Sequence, residues 1–208
     1  MIITYYGKQF WKIEQGKMVI AFNPVNKSSK SDITARFGAD LAFITTNHPL
    51  YNGVEQLTYG DRVPFVISGP GSYEIKEIFI KGILSRANIS GKKYINTIYS
   101  FELDDINILF LGALSDTDLS KDSKEAIAGP DILFVPIGGK DTLDTKTSAK
   151  FALSLEPKII IPMDYDEVSL KAFLKEVDAE KSEFIDKLTL KRKDLEGKEG
   201  EVVVLKSL

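Results

Sequence analysis

The chain has no cysteine and a single histidine, His48. Counting alone therefore excludes disulfides, thiolate metal sites and cysteine nucleophiles. The absence fits a cytoplasmic setting. Histidine is the usual side-chain ligand of catalytic zinc, and one imidazole cannot build a histidine-rich dinuclear centre. Any metal here would lean on carboxylates, which favour magnesium, calcium or manganese over zinc. Also missing is a run of ~20 apolar residues, the length that crosses a bilayer. The opening residues MIITYYGKQFWKIEQG lack the basic flank and apolar block of a signal peptide and read as a strand from the second residue. No membrane partner is expected.

Positive charge is not in excess either: the formal net charge is -3. No basic footprint for a phosphate backbone is visible, so no nucleic-acid partner is expected. RNA binding is kept only as a third alternative that salt-sensitive retention on RNA would revive. The most basic stretch, Lys187 to Lys193, is flanked by Asp186 and Asp194 and reads as a solvated strand edge. There is no Gly-x-Ser-x-Gly elbow, and His48 is the only histidine open to a Ser-His triad.

What is present is ordinary globular material: 208 residues, 43 % hydrophobic and 27 % charged. That suffices for a full core, and without a low-complexity linker the chain reads as one domain over 1–208. Strand signals dominate the first half: Ile2–Tyr6, Phe10–Glu14, Met18–Asn23, Leu41–Thr45, Pro64–Ser68, Gly71–Ile75 and Ile78–Ile83. A hairpin turn is expected at Glu14–Lys17 and a polar loop at Lys27–Lys30. Ser31 is placed to cap a short helix through Phe37, stopped by Gly38. Gly69-Pro70-Gly71 reads as a sharp turn; it opens no helix, so it is not a phosphate cradle.

A second round of strands starts near Asn96, which suggests a duplicated architecture. It comprises Asn96–Leu103, a turn at Asp104-Asp105 and Ile106–Leu111. Helices are expected at Ser120–Ala128, from Asp144 to Leu155 and at Glu167–Val177, where Leu170, Phe173, Leu174 and Val177 share a face. Strands Ile132–Pro136, Lys158–Pro162, Lys187–Leu190 and Glu201–Leu205 fill the rest. The pattern implies an α/β (α+β) chain with two mixed sheets packed together and helices outside.

Several strings occur in a telling order: ITYYGKQFWKIE, VIAFNP, the loop before NGVEQL, FVISGPGSYEIK, INTIYSFELDDINILFLG, GPDILFVPIGG and EPKIIIPMDY. Over about Ile2 to Leu205 they resemble the Zn-dependent hydrolase, ascorbate-phosphate-lactonase-like branch of the metallo-β-lactamase superfamily. The resemblance implies an αββα four-layer sandwich. In active members, one or two metal ions on loops at a sheet edge ionise a water that attacks an ester, lactone, amide or phosphodiester.

The same resemblance locates the metal-ligand positions. Read back from Asn52-Gly53-Val54-Glu55, the His-x-His-x-Asp-His motif falls on Thr46, His48, Leu50 and Tyr51, so one of four survives. The next histidine falls on a loop, Ser85-Arg86-Ala87-Asn88, that holds none. The aspartate after Leu-Gly is Ala113, and the histidine of Pro-Met-His-Tyr is Asp164. Tyr-Gly-His has become Tyr6-Gly7-Lys8, and Ile-Asp-Pro has become Phe22-Asn23-Pro24.

From these changes the expectation is a catalytically inactive member with a lost metal site and no cofactor. It would keep a binding or assembly role, as a homo-oligomer or with a protein partner. The alternative is a lactone or phosphoester hydrolase with one cation held by His48 and Asp164, helped by Asp116 or Asp118. Asp116 and Asp118 otherwise read as turn and cap residues. Gly138-Gly139, ahead of a helix, offers at most a weak anion site. Of Tyr5, Tyr6, Phe10, Trp11, Phe22, Leu50 and Tyr51, the resemblance implies that several border the former cleft. Trp11 reads as core; Leu50 and Tyr51 stay open between core and partner surface.

Overall fold

A computed structural model describes residues 1–29 and 31–208. Lys30, the end of the expected polar loop, lies outside the described residues. The first sheet begins with a meander: β1 (Ile2–Gly7), β2 (Phe10–Gln15) and β3 (Met18–Phe22). It continues in parallel through β4 (Leu41–Phe43) and β5 (Phe65–Ile67). The second sheet opens with β6 (Gly71–Ile75), β7 (Ile78–Ile89), β8 (Lys92–Leu103) and β9 (Ile106–Phe110). These four are antiparallel neighbours; β10 (Ile132–Pro136) and β11 (Ile159–Met163) then add in parallel. Between the late strands lie helices α1 (Lys121–Ala126), α2 (Thr145–Ser154) and α3 (Glu167–Glu176). A small pair is made by β12 (Phe184–Ile185) and β15 (Val204–Leu205), while β13 (Leu188–Thr189) joins β1 and β14 (Glu201–Val202) joins β11.

The α/β sandwich read from the sequence is thus what the chain forms. Its inter-sheet core is a spine of rings. Trp11, Phe22 and Phe43 from the first sheet meet Phe101, Phe110 and Phe134 from the second, with centroids 4.6 Å apart for Phe22 and Phe110. Trp11 is fully buried, as expected. Such ring pairs add to what burial alone contributes. On the far face of the second sheet, Phe151, Leu170, Phe173 and Leu174 of α2 and α3 cover Leu133, Val135 and Ile160. Among the described residues no helix is long and apolar enough to cross a membrane.

Three expectations need correction. Residues 31–39 form no helix. Ile33, Ala35 and Phe37 pack with Phe10, Ala42 and Leu57 at every second position, the spacing of extended chain. The buried Gln56 satisfies that segment's backbone: its Oε1 accepts from the Ala35 amide (2.9 Å), and its amide group donates to the Val25 and Ile33 carbonyls. With the 3-10 turn Val54–Leu57, this segment covers the first sheet's outer face.

Secondly, the chain does not restart near Asn96. β7 and β8 are one long hairpin, paired from Ile80↔Phe101 to Ile89↔Lys92. Ser90 and Gly91 turn it with φ of 51° and 80°, the backbone that two-residue hairpin loops require. Thirdly, Ser85–Asn88 is consequently strand rather than loop. Gly69-Pro70 makes a turn, as read, but it carries the chain from β5 in one sheet to β6 in the other.

Candidate functional site

All six positions singled out by the motif reading gather at one edge of the sandwich. They come from the loop after β4 (Thr46, His48, Leu50, Tyr51) and from the segments that leave β9 (Ala113) and β11 (Asp164). Two hydrogen-bond networks and one apolar plug organise them.

The first network centres on Asn96 of β8, which is fully buried. Its Oδ1 accepts from Thr46 Oγ1 (3.1 Å) and from the Ala113 amide (2.9 Å). Its Nδ2 donates to Ser85 Oγ (2.7 Å) and the Leu111 carbonyl (2.9 Å). Every polar atom of this amide is used, as burial demands. Gly112 makes the approach possible: its φ is +63°, and a Cβ there would stand 2.6 Å from both Thr45 and Asn96 Oδ1.

The second network centres on Asp164, whose side chain is 18 % exposed. Its Oδ2 accepts from Gln9 Nε2 (3.0 Å) and from the Tyr51 hydroxyl (3.2 Å). The Lys8 ammonium lies 4.0 Å from Oδ1. Gln9 Oε1 accepts in turn from Asn23 Nδ2 (3.0 Å), which also donates to Thr45 Oγ1 (2.8 Å), and the Thr45 amide returns to Asn23 Oδ1 (2.9 Å). The irregular register between Tyr5 and Gly7 swings Lys8 and Gln9 into this position. A cleft of about 210 Å³, lined by Lys8, Tyr51, Lys140, Asp141, Asp164 and Asp166 among others, opens beside it.

Between the two networks sits Tyr51, 1 % exposed, packed with Ala87, Ile89 and Ala113. Burial, and then the Asp164 charge, push its phenol well above the ordinary range, so it donates a proton and does not lose one. Tyr51 is therefore a plug, not a partner-facing side chain, and Leu50 is half-buried on the same cluster. Phe10, Trp11 and Phe22 are wholly buried and border no open cleft.

His48 points elsewhere. Its Nδ1 accepts from the Leu50 amide (3.3 Å), and its ring meets Tyr94 edge-on at 5.4 Å. Partial burial and the Lys92 charge lower its pKa against the opposing pull of Asp141. Tyr51 neighbours both His48 (centroids 6.0 Å apart) and Asp164. Among the described residues, no three His, Cys, Asp or Glu side chains converge to hold a metal ion.

Asp116 accepts from the Asp118 amide (3.1 Å), and Asp118 lies 3.7 Å from Arg86 at the surface, so the pair forms a turn. Ser120, not either aspartate, caps α1. The α2 amides of Lys146 and Thr147 are taken by the Asp144 carboxylate and so are not free for an anion near Gly138-Gly139. Sequence reading missed Gln9, Thr45 and Asn96. A polar residue inside the strand string INTIY was the available signal for Asn96.

Comparison with known proteins bears on the fold and the family. Residues 2–164 match the β-lactamase superfamily domain. A metal-dependent hydrolase of Pyrococcus horikoshii is 31 % identical over 142 residues, 65 % of this chain; the matched stretch spans 56 % of that relative's own length. The crystal structure of a candidate Zn-dependent hydrolase from Thermotoga maritima superposes with a TM-score of 0.74 at 28 % identity, covering 98 % of this chain and 97 % of the other. A candidate metal-dependent hydrolase from Parabacteroides distasonis shares the fold, with a TM-score of 0.66 at 18 % identity over 97 % and 91 % of the two chains.

Proposed function

Because the chain belongs to the metallo-β-lactamase superfamily, we propose that it is a cytoplasmic member that has given up the metal centre. It retains the scaffold for binding or assembly, with a second copy of itself or another protein as partner. Metal in this superfamily would ionise a water near neutral pH. The donor set here does not fit that task. A dication at Asp164 would sit beside the Lys8 ammonium, on a carboxylate whose Oδ2 already accepts from Gln9 and Tyr51. Zinc sites normally take three or four protein ligands, and among the described residues no such group converges.

The observation that carries the reading is the Tyr51 hydroxyl on Asp164: a neutral ring and its proton stand where ligand-bearing loops meet. A binding role draws support from large apolar side chains left in water. Phe65, Phe79 and Leu84 are 53 %, 69 % and 58 % exposed, on strands at or beside the free edges of both sheets.

Elemental analysis of protein purified without chelator, paired with lactone and phosphoester assays in added zinc, manganese or iron, tests this. Far less than stoichiometric metal and no rate above buffer are expected. A second reading is favoured by the relatives' description as metal-dependent hydrolases: a single-cation hydrolase using Asp164 and His48. Stoichiometric metal, with turnover lost in Asp164→Ala, would put that reading in place of the first.

A further inference from the structure

Across the loop after β4 from Asp164's cleft lies a second, larger recess of about 760 Å³. Its walls come from both sheets: the loop (Asn52, Val54), β5 (Val66) and β8 (Lys92, Tyr94, Ile95). The recess stays open because the sheets are stitched at its back. The Thr97 amide donates to the Thr45 carbonyl (2.8 Å), and the Gly69 amide donates to the Tyr99 hydroxyl (3.0 Å). Neither motif nor metal chemistry uses it.

Three features define what would fit. Val66 and Ile95 are 41 % and 63 % exposed, an apolar wall that an apolar body would cover. Asn52 Oδ1 is buried without a hydrogen-bond partner, although its Nδ2 donates to Asn47 Oδ1 (2.8 Å). The Asn47–Asn52 pair lines the recess and gives it a neutral polar edge. Finally, Lys92 is the only charged side chain among the described residues of the lining, and its Nζ rests over the Tyr94 ring, 5.4 Å from the centroid. That holds an ammonium at the mouth with no carboxylate beside it in the recess.

We propose that this recess binds a small amphipathic carboxylate: an apolar body on Val66 and Ile95, a neutral polar group beside the Asn47–Asn52 pair, and the anionic end at Lys92. The size lies within the ordinary range for small-ligand sites. The same chemistry occurs in a free N-acyl amino acid and at the apolar C-terminus of a polypeptide. The site stands on its own lining and is independent of whether any metal is held near Asp164.

The test uses the full chain and N-acetyl-L-leucine as probe, followed by amide chemical shifts. Expected are shifts at Asn52, Val66, Tyr94 and Ile95, with affinity weakened about fivefold or more for N-acetyl-L-leucinamide and for Lys92→Glu. Lys92 is exposed, and an unchanged far-field spectrum of the variant shows that it folds. A short peptide ending in leucine distinguishes the sources: tighter binding than the probe marks a chain terminus, weaker binding a free metabolite, and either supports the site. Absent shifts, shifts confined elsewhere, or equal binding by the amide and by Lys92→Glu would overturn it.

Discussion

The phenol of Tyr51 donates to Oδ2 of Asp164 across 3.2 Å, joining two loops 113 residues apart in the chain. Removing the hydroxyl leaves the ring's packing intact, so Tyr51→Phe isolates the bond. A hydrogen bond to a charged group contributes about 1.5–3 kcal/mol, and urea unfolding is expected to show a loss near the lower end. Asn tolerates the left-handed backbone of residue 164 (φ 55°), so Asp164→Asn completes a double-mutant cycle. A coupling energy of about 1 kcal/mol is expected; strict additivity would detach the two residues.

Buried phenols give the fold an alkaline limit. Burial pushes Tyr5, Tyr51 and Tyr99 above the ordinary value of 10.0, and Tyr165 to about 12. A pKa raised on folding means that the native state holds its proton more tightly than the unfolded state. Stability from these groups is therefore whole below about pH 10 and falls as pH rises beyond it. Near-ultraviolet phenolate absorbance should show Tyr5, Tyr51 and Tyr99 ionising only as the chain unfolds.

The sole histidine makes a clean reporter. His48 should give one imidazole resonance that titrates below 6.5, since burial and Lys92 disfavour the cation. Its contribution to stability is present above pH 6.5 and lost as pH drops through the lowered value. Lys92→Ala should raise the midpoint and Asp141→Asn lower it. Movement in the opposite directions would misplace the ring.

Gly112→Ala should cost about 2 kcal/mol or more, because the new methyl meets Thr45 and Asn96 at a backbone angle that favours glycine. Thermal unfolding reads the loss directly.

Much of the fold was legible because short strands with an apolar face and the capping aspartate of α2 act locally. Asp144, Ile132–Pro136 and the Asp104-Asp105 turn needed no tertiary knowledge. Residues 31–37 misled because Ser31 resembles a cap; the deciding signal was the alternation of Ile33, Ala35 and Phe37. The β7–β8 hairpin was cut short because Ser90-Gly91 was passed over as a turn. At the site, the six positions that gather at one edge were picked out by motif order, and Lys8 and Asn23 stood out as departures. The roles of Gln9 and Asn96 were not legible, since their partners lie 155 and up to 50 residues away in sequence.

Gln56 serves the layer over the first sheet with one buried carboxamide, while Ile33, Ala35 and Phe37 seat that layer on Phe10, Ala42 and Leu57. One side chain thus answers for the backbone of two separate segments, at residue 25 and at residues 33–35, so losing it would strand three peptide groups together.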